Sequence, residues 1–202
     1  MFKLNIDTVV SWLLRARFLQ RWPLMKTDGT DSVSTHCYET AVIAFKIGVI
    51  AKVIFDKPVS PERIATLALT HEASEAAGVS DVPSPVKYAN PAITDAIKAL
   101  EAQVEESLVE TISDDAVKEY MRPYIQQSYA DPYEKRLVKA ADDIAAYIYA
   151  TQRLNEGSRE FAKASRKLLL KVNQHANDFR EVAYFYEKVL PHCLKSLDEL
   201  ID

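Results

Sequence analysis

A histidine and a glutamate stand side by side at His71-Glu72, and a second carboxylate, Glu75, follows four residues after the histidine. The apolar run Ile64-Ala65-Thr66-Leu67-Ala68-Leu69 leads into them and reads as helix. Positions i and i+4 of a helix share a face, so His71 and Glu75 are expected to point the same way, above Leu67, with Glu72 to one side. Polar groups at the inner end of an apolar helix cost free energy unless something pairs with them. A metal ion would. His36 stands at the expected first turn of another apolar helix, and Asp142 and Asp143 interrupt the apolar stretch from Leu137 to Tyr147. Aspartate is a poor residue for a helix interior, so two together need a reason. The bland reading makes Asp143 a solvated face and pairs Asp142 with a lysine or arginine. The sharper one gathers His36, His71, Glu72 and Asp142 from three helices into a mixed nitrogen and oxygen set suited to Mn, Fe, Co, Ni or Zn. His175 and His192, in the C-terminal region without such a pattern, read as structural or surface residues.

The elements that must hold these groups are all helical. Only four glycines occur, strand-like alternation is hard to find, and helical periodicity runs almost throughout, so the chain is expected to be all-α. A first helix is expected over 7–19, with Val9, Val10, Trp12, Leu13 and Phe18 as its apolar set, broken by Arg21-Trp22-Pro23-Leu24-Met25. A second, from Ser34 or Thr35 to Phe55, is apolar nearly all round and reads as central. Ser60-Pro61-Glu62 gives an N-cap, an N1 proline and a first-turn acid, and starts the helix expected to carry His71 as far as Gly78. Prolines 83 and 85 exclude regular helix over 81–88, which reads as an ordered loop. Further helices are expected from Asn90 or Thr94 to Val109, from Asp114 to Tyr129 with a kink at Pro123, from Asp131-Pro132 to Asn155, from Ser158 to Asn173 and from Asp178 to Leu200. No repeat or low-complexity segment divides the chain, and residues 1–202 read as one domain.

The composition is that of an ordinary globular protein: 202 residues, 48% hydrophobic and 27% charged. A net charge of −4 argues against a nucleic-acid-wrapping surface. Two distant cysteines, Cys37 and Cys193, form no CxxC pair and no disulfide framework, which points to a reducing compartment. The first residues lack the apolar core of a signal peptide, and no run reaches the ~18 apolar residues of a membrane span. The expectation is a cytoplasmic protein with no membrane or nucleic-acid partner.

A histidine near a helix start, then a His-acid doublet, then a distant aspartate resembles the signature order of the HD-domain metal phosphohydrolases. The resemblance is closer to their bacterial 5'-deoxynucleotidase (YfbR-like) branch. It rests on Arg21-Trp22-Pro23-Leu24-Met25; on Val33-Ser34 before His36; on His71 with Ala73-Ser74-Glu75; on Asp81, Pro83 and Pro85-Val86-Lys87-Tyr88; and on Val138-Lys139, Ala141-Asp142 and Ala146-Tyr147. These blocks keep their order from about residue 15 to 150, while the last fifty residues match only as helices. The resemblance implies an HD-type helical bundle. It implies one divalent cation, with Co, Mn, Ni, Fe, Zn and Mg all open, held by His36, His71, Glu72 and Asp142. It makes Glu75 the general acid/base or the group orienting the attacking water, and Arg21, Lys87 and Lys139 a phosphate clamp. Trp22 becomes a wall of the sugar and base pocket, Asp81 a contact to the deoxyribose or a water-positioning group, and the protein a homodimer. Three departures stand out: the doublet is His-Glu, not His-Asp; Thr35 replaces the acid usual before the first histidine; and the loop from Glu75 to Asp81 is one residue longer.

The implied reaction is hydrolysis of a 5'-deoxynucleoside monophosphate to deoxynucleoside and phosphate. One alternative of the same fold removes tripolyphosphate from a deoxynucleoside triphosphate such as dATP, and another is an HD protein that binds nucleotide without cutting it. Blander roles stand beside the sharp ones: Trp22 as a packing anchor, Arg21 in an ordinary salt bridge, and Lys87 and Lys139 as surface lysines.

Overall fold

The computed structural model describes residues 7–26 and 31–201, apart from the side chain of Ser84. Among these residues the helices are α1 (Val9–Leu13), α2 (Val33–Val53), α3 (Pro61–Leu69), α4 (Ser84–Lys87), α5 (Pro91–Val109), α6 (Asp115–Ile125), α7 (Pro132–Asn155), α8 (Ala162–Asp178), α9 (Arg180–Lys188) and α10 (Leu197–Ile201). Short 3-10 segments join several of them, and among the described residues the only extended pairing is an isolated bridge between Gln20 and Ser32. The all-α expectation holds.

The caps follow local chemistry. Asn90 accepts from the Ile93 backbone N–H at 3.0 Å to start α5, and Asp114 accepts from that of Val117 at 2.9 Å to start α6. Other boundaries moved. The first helix keeps α geometry only to Leu13 and tightens to 3-10 over Leu14–Phe18. Of its expected apolar set only Val9 is buried, while Val10, Trp12 and Phe18 are exposed. The loop over 81–88 contains one helical turn, α4, because Pro85 sits in its first turn, where no backbone N–H is needed. The last expected helix breaks into α9, a 3-10 turn over Leu190–Leu194 and α10.

The chain forms two compact units. Of the described residues, the first takes 7–24, 31–37 and 69–131; the second takes 25–26, 38–68 and 132–201. In the first, Val9, Ala73, Leu108, Val109, Ile112 and Ile125 make one buried cluster, and Ala16, Val33, Cys37 and Ala76 another. In the second, α8 packs against α7 and α9. There the start of α3 lies so close to α2 that a Cβ on Gly48 would meet Pro61 Cα at 2.9 Å. Buried Glu134 of α7 is held by Arg63 of α3, with Nη2 to Oε1 at 2.7 Å.

Candidate active site

The first unit carries most of the residues singled out from the sequence. His36 sits in the first turn of α2, its backbone N–H donating to Ser32 O at 3.0 Å, and its side chain is fully buried. His71 and Glu72 are not inside a helix. α3 stops at Leu69, and a turn over Thr70–Glu72 carries both. Two hydrogen bonds accompany the break: Thr70 Oγ1 donates to the backbone carbonyl of Tyr124, far along the chain, and Ala73 N–H folds back to Thr70 O at 3.0 Å. The chain then enters a π turn, Glu75–Val79, closed by Ser80 N–H to Glu75 O at 3.3 Å. Gly78 has φ +130°, a conformation that a side chain would strain. The regular i, i+4 spacing expected for His71 and Glu75 is therefore absent. The two belong to a turn and a π turn, and the apolar helix delivers them without containing them.

Around this break the donor atoms of His36, His71 and Glu72 all lie within 4.8 Å of one another. The two imidazole centroids are 5.3 Å apart, and His71 Nε2 is 3.4 Å from Glu72 Oε1. The extra methylene of glutamate thus brings its oxygen alongside the ring. Cys37 Sγ approaches His71 Nδ1 at 3.9 Å. Two imidazoles and a carboxylate at this separation form a donor set that fits a divalent transition metal.

Glu75 is buried, and its carboxyl is pushed up to about 9: burial is the main cause, and the nearby charges of Glu72 and Asp81 add to it. Lys87 and Arg21 pull the other way. Burial also raises Asp81, against Arg21 and a backbone hydrogen bond at Trp22. Glu75, Glu72, Asp81, Lys87 and Arg21 thus share one electrostatic neighbourhood. Such a crowd of carboxylates favours arriving positive charge.

The cationic and aromatic candidates have definite partners here. Arg21 Nη1 donates to Asp31 Oδ2 at 2.9 Å, and Trp22 Nε1 donates to the same oxygen at 3.0 Å. The Arg21 guanidinium lies 5.4 Å from the Trp22 ring centre, and Trp22 itself takes φ +60°, a strained value for a bulky residue. Lys87, at the end of α4, donates to Glu101 of α5 at 2.7 Å. Burial works against its charge, but Glu101, with Glu72 behind it, raises its pKa overall.

The second unit carries Lys139 and Asp142 on α7. Lys139 Nζ donates to Asp142 Oδ2 at 2.6 Å and to Asp143 Oδ1 at 3.1 Å. Burial opposes the ammonium, yet the two aspartates hold its pKa well above the ordinary lysine value. Asp142 therefore has the lysine partner of the bland reading, but Asp143 does not form a solvated face: it is 4% exposed. It also accepts from Lys171 at 3.3 Å and sits 2.9 Å from His175 Nε2. Asp31, Glu101, Asp143 and His175 were not singled out as functional partners from the sequence. Each acts through a residue nine or more positions away, apart from the Asp143–Lys139 contact, so no local pattern announces it.

A family model described as 5'-deoxynucleotidase YfbR-like matches residues 8–193. A 5'-deoxynucleotidase of Vibrio cholerae is 35% identical over 188 residues, covering 93% of this chain and 95% of that protein. The 5'-deoxynucleotidase YfbR of Escherichia coli is 36% identical, covering 93% and 92%. Among solved structures, an HD-domain phosphohydrolase from Listeria innocua superposes with a TM-score of 0.76 at 18% identity, covering 93% of this chain and 89% of that one. The cyanophage S-2L HD phosphohydrolase, solved with dA and one catalytic Zn2+ ion, gives 0.67 at 16% identity, covering 90% and 96%. At those identities the structures establish the HD-phosphohydrolase fold.

Proposed function

We propose the following for this chain, which belongs to the 5'-deoxynucleotidase YfbR-like family: it is a metal-dependent phosphohydrolase that converts a 5'-deoxynucleoside monophosphate and water to a deoxynucleoside and phosphate, working in the cytoplasm as a homodimer whose two compact units act as one catalytic domain. The observation that carries the reading is the gathering of His36, His71 and Glu72 within 4.8 Å of one another beside a buried Glu75. The relatives named as 5'-deoxynucleotidases support the substrate class.

His36, His71 and Glu72 would hold the cation, with Asp142 of α7 as the fourth donor. A divalent cation supplies Lewis acidity, acidifying water and neutralising charge on phosphoryl oxygens. The chain's own residues do the rest. Arg21, Lys87 and Lys139 pair with the phosphate oxygens and absorb the charge that builds on them. To do so Lys87 turns from Glu101, and Lys139 from Asp142. Lys139 keeps Asp143 as an anchor. The charge of a bound cation would favour the carboxylate form of Glu75 over the protonated form that burial favours without it. As carboxylate, Glu75 takes the proton of the attacking water, the new P–O bond forms, and the P–O5' bond breaks. The same proton then passes from Glu75 to the departing 5'-oxygen. Trp22, fixed through Nε1 by Asp31, walls the sugar and base, and Asp81 contacts the deoxyribose.

The test is product analysis. Phosphate, tripolyphosphate and nucleoside are measured after incubation with deoxynucleoside monophosphates, ribonucleoside monophosphates and deoxynucleoside triphosphates, each with Mn, Co, Mg, Ni or Zn. Phosphate and deoxynucleoside from the deoxy-monophosphates alone support the proposal. Tripolyphosphate from the triphosphates would replace it with the triphosphohydrolase alternative, and nucleotide binding without any product would replace it with the non-catalytic one.

A further inference from the structure

One face of α2 is buried: Ile43, Ala44, Ile47, Ile50 and Ala51 are covered. The opposite face is equally apolar but open. Tyr38 is 65% exposed, Val42 52%, Phe45 44% and Val53 74%, with Val49 half-buried between them. A solvent-facing helix surface is normally charged, and a helix apolar all round is covered on every side. The spacing of Tyr38, Val42, Phe45 and Val49 is four, three and four residues, the alternation of a coiled-coil seam. Together these side chains expose an apolar patch of roughly 400 Å², the size at which such patches mark interfaces. That is about half of the ~800 Å² each partner buries in a standard interface, leaving the remainder to a polar rim.

We propose that this face of α2 seats α2 of a second copy of the chain, antiparallel, about a two-fold axis passing between Ile43 and Ala44. The inference rests on the homodimer proposed above and assigns its surface. In this register Tyr38 lies opposite Val49 of the second copy, and Val42 opposite Phe45 of the second copy, so each copy supplies one side chain to each of the four central layers. The axis coincides with the middle of the Val33–Val53 helix, so the whole length of each helix is aligned. A two-fold of this kind sets the same edge of both helices side by side. On one edge stand Glu39 and exposed Lys46, seven residues apart. Glu39 of each copy therefore comes within reach of Lys46 of the other, and the pair forms twice.

Sedimentation equilibrium on the full chain loaded with its cation tests the proposal, with circular dichroism as a check that each variant is folded. The wild type is expected to be a dimer at micromolar concentration. Phe45→Glu, a change at an exposed position, weakens dimerisation by about 100-fold, while turnover per chain by folded protein stays within about twofold. Val42→Lys, the second variant, does the same. Glu39→Lys and Lys46→Glu each weaken it by about tenfold, and the double exchange restores it. A monomeric wild type would overturn both the homodimer and this surface. A wild-type dimer untouched by Phe45→Glu and Val42→Lys would leave the homodimer standing and overturn the surface alone. Failure of the double exchange to restore pairing would overturn the antiparallel register. If the wild type is monomeric and floats with anionic vesicles, and Phe45→Glu abolishes the flotation, the seam faces a membrane and the proposal falls.

Discussion

His175 Nε2 lies 2.9 Å from Asp143 Oδ2, joining the face of α8 to a nearly fully buried carboxylate beside Asp142. Lys171, one turn earlier on α8, reaches the other oxygen of Asp143 at 3.3 Å, where Lys139 also donates at 3.1 Å. Burial alone would push the Asp143 carboxyl up. The His175 hydrogen bond and the charges of Lys139 and Lys171 outweigh that and hold it below the ordinary aspartate value. A lowered folded-state pKa gives stability that is present above the unfolded pKa and is lost as pH falls through the folded one.

His175→Leu removes one partner from that buried carboxylate and should cost about 1–3 kcal/mol at neutral pH. At about 2–4 °C per kcal/mol for a chain of this size, thermal unfolding reads it directly. The gap between variant and wild type should close as pH falls below the ordinary aspartate range, because protonation of Asp143 removes the charge that the hydrogen bond stabilises. A gap that stays constant into acid would show that the hydrogen bond is not what stabilises the fold.

Glu75 titrates in the opposite sense. With its folded-state pKa raised to about 9, the folded chain holds a proton that the unfolded chain gives up near 4.5. Between those values stability falls as pH rises, because ionising Glu75 in its buried place costs free energy. Glu75→Gln removes this cost. In chelator, the variant should be more stable than wild type by about 1–3 kcal/mol at pH 8, with the advantage vanishing near pH 4. Equal stability of the two at pH 8 would mean that Glu75 is ionised without penalty.

The cation set predicts a graded series. Glu72→Ala should weaken divalent-cation binding by about 10–100-fold in calorimetry and abolish turnover at limiting metal. Glu72→Asp, one methylene shorter, should keep turnover within about tenfold and change which cation supports it best. Identical cation preference in Glu72→Asp and wild type would take Glu72 out of the coordination.

Lys87 tests the phosphate clamp. It is held at 2.7 Å by Glu101, and in the proposed clamp it would exchange that partner for phosphate. Lys87→Met should raise KM for the monophosphate by about tenfold, equivalent to about 1.4 kcal/mol. Glu101→Gln should lower KM, because the ammonium no longer has a charged competitor. An unchanged KM in both variants would leave Lys87 as a structural residue.

Much of the fold was legible in the sequence because its signals are local. The caps at Asn90 and Asp114, the Ser60-Pro61-Glu62 start, the Asp131-Pro132 start and the glycine stop at Gly157 all act within one turn. His36 was placed in its helix turn for the same reason. The break at Thr70 was not legible, since it depends on a hydrogen bond to the carbonyl of Tyr124, more than fifty residues away. That bond turned an expected helical face into a turn and a π turn, and so changed how His71 and Glu75 are presented. Burial of Asp143 was hidden for the same reason: its His175 and Lys171 partners come from another helix. The exposed seam on α2 misled in the other direction. An all-round apolar pattern reads as a central helix, but the fold of one chain covers only one of its faces.

The most direct measurement is phosphate release from a deoxynucleoside monophosphate by the cation-loaded wild type and by Glu75→Gln, with cation binding measured on both. Metal-dependent release by the wild type, falling by about 100-fold or more in a variant that still binds the cation, is the predicted result. Undiminished release by Glu75→Gln would contradict the role of Glu75, and no release by the wild type with any divalent cation would contradict the proposed activity itself.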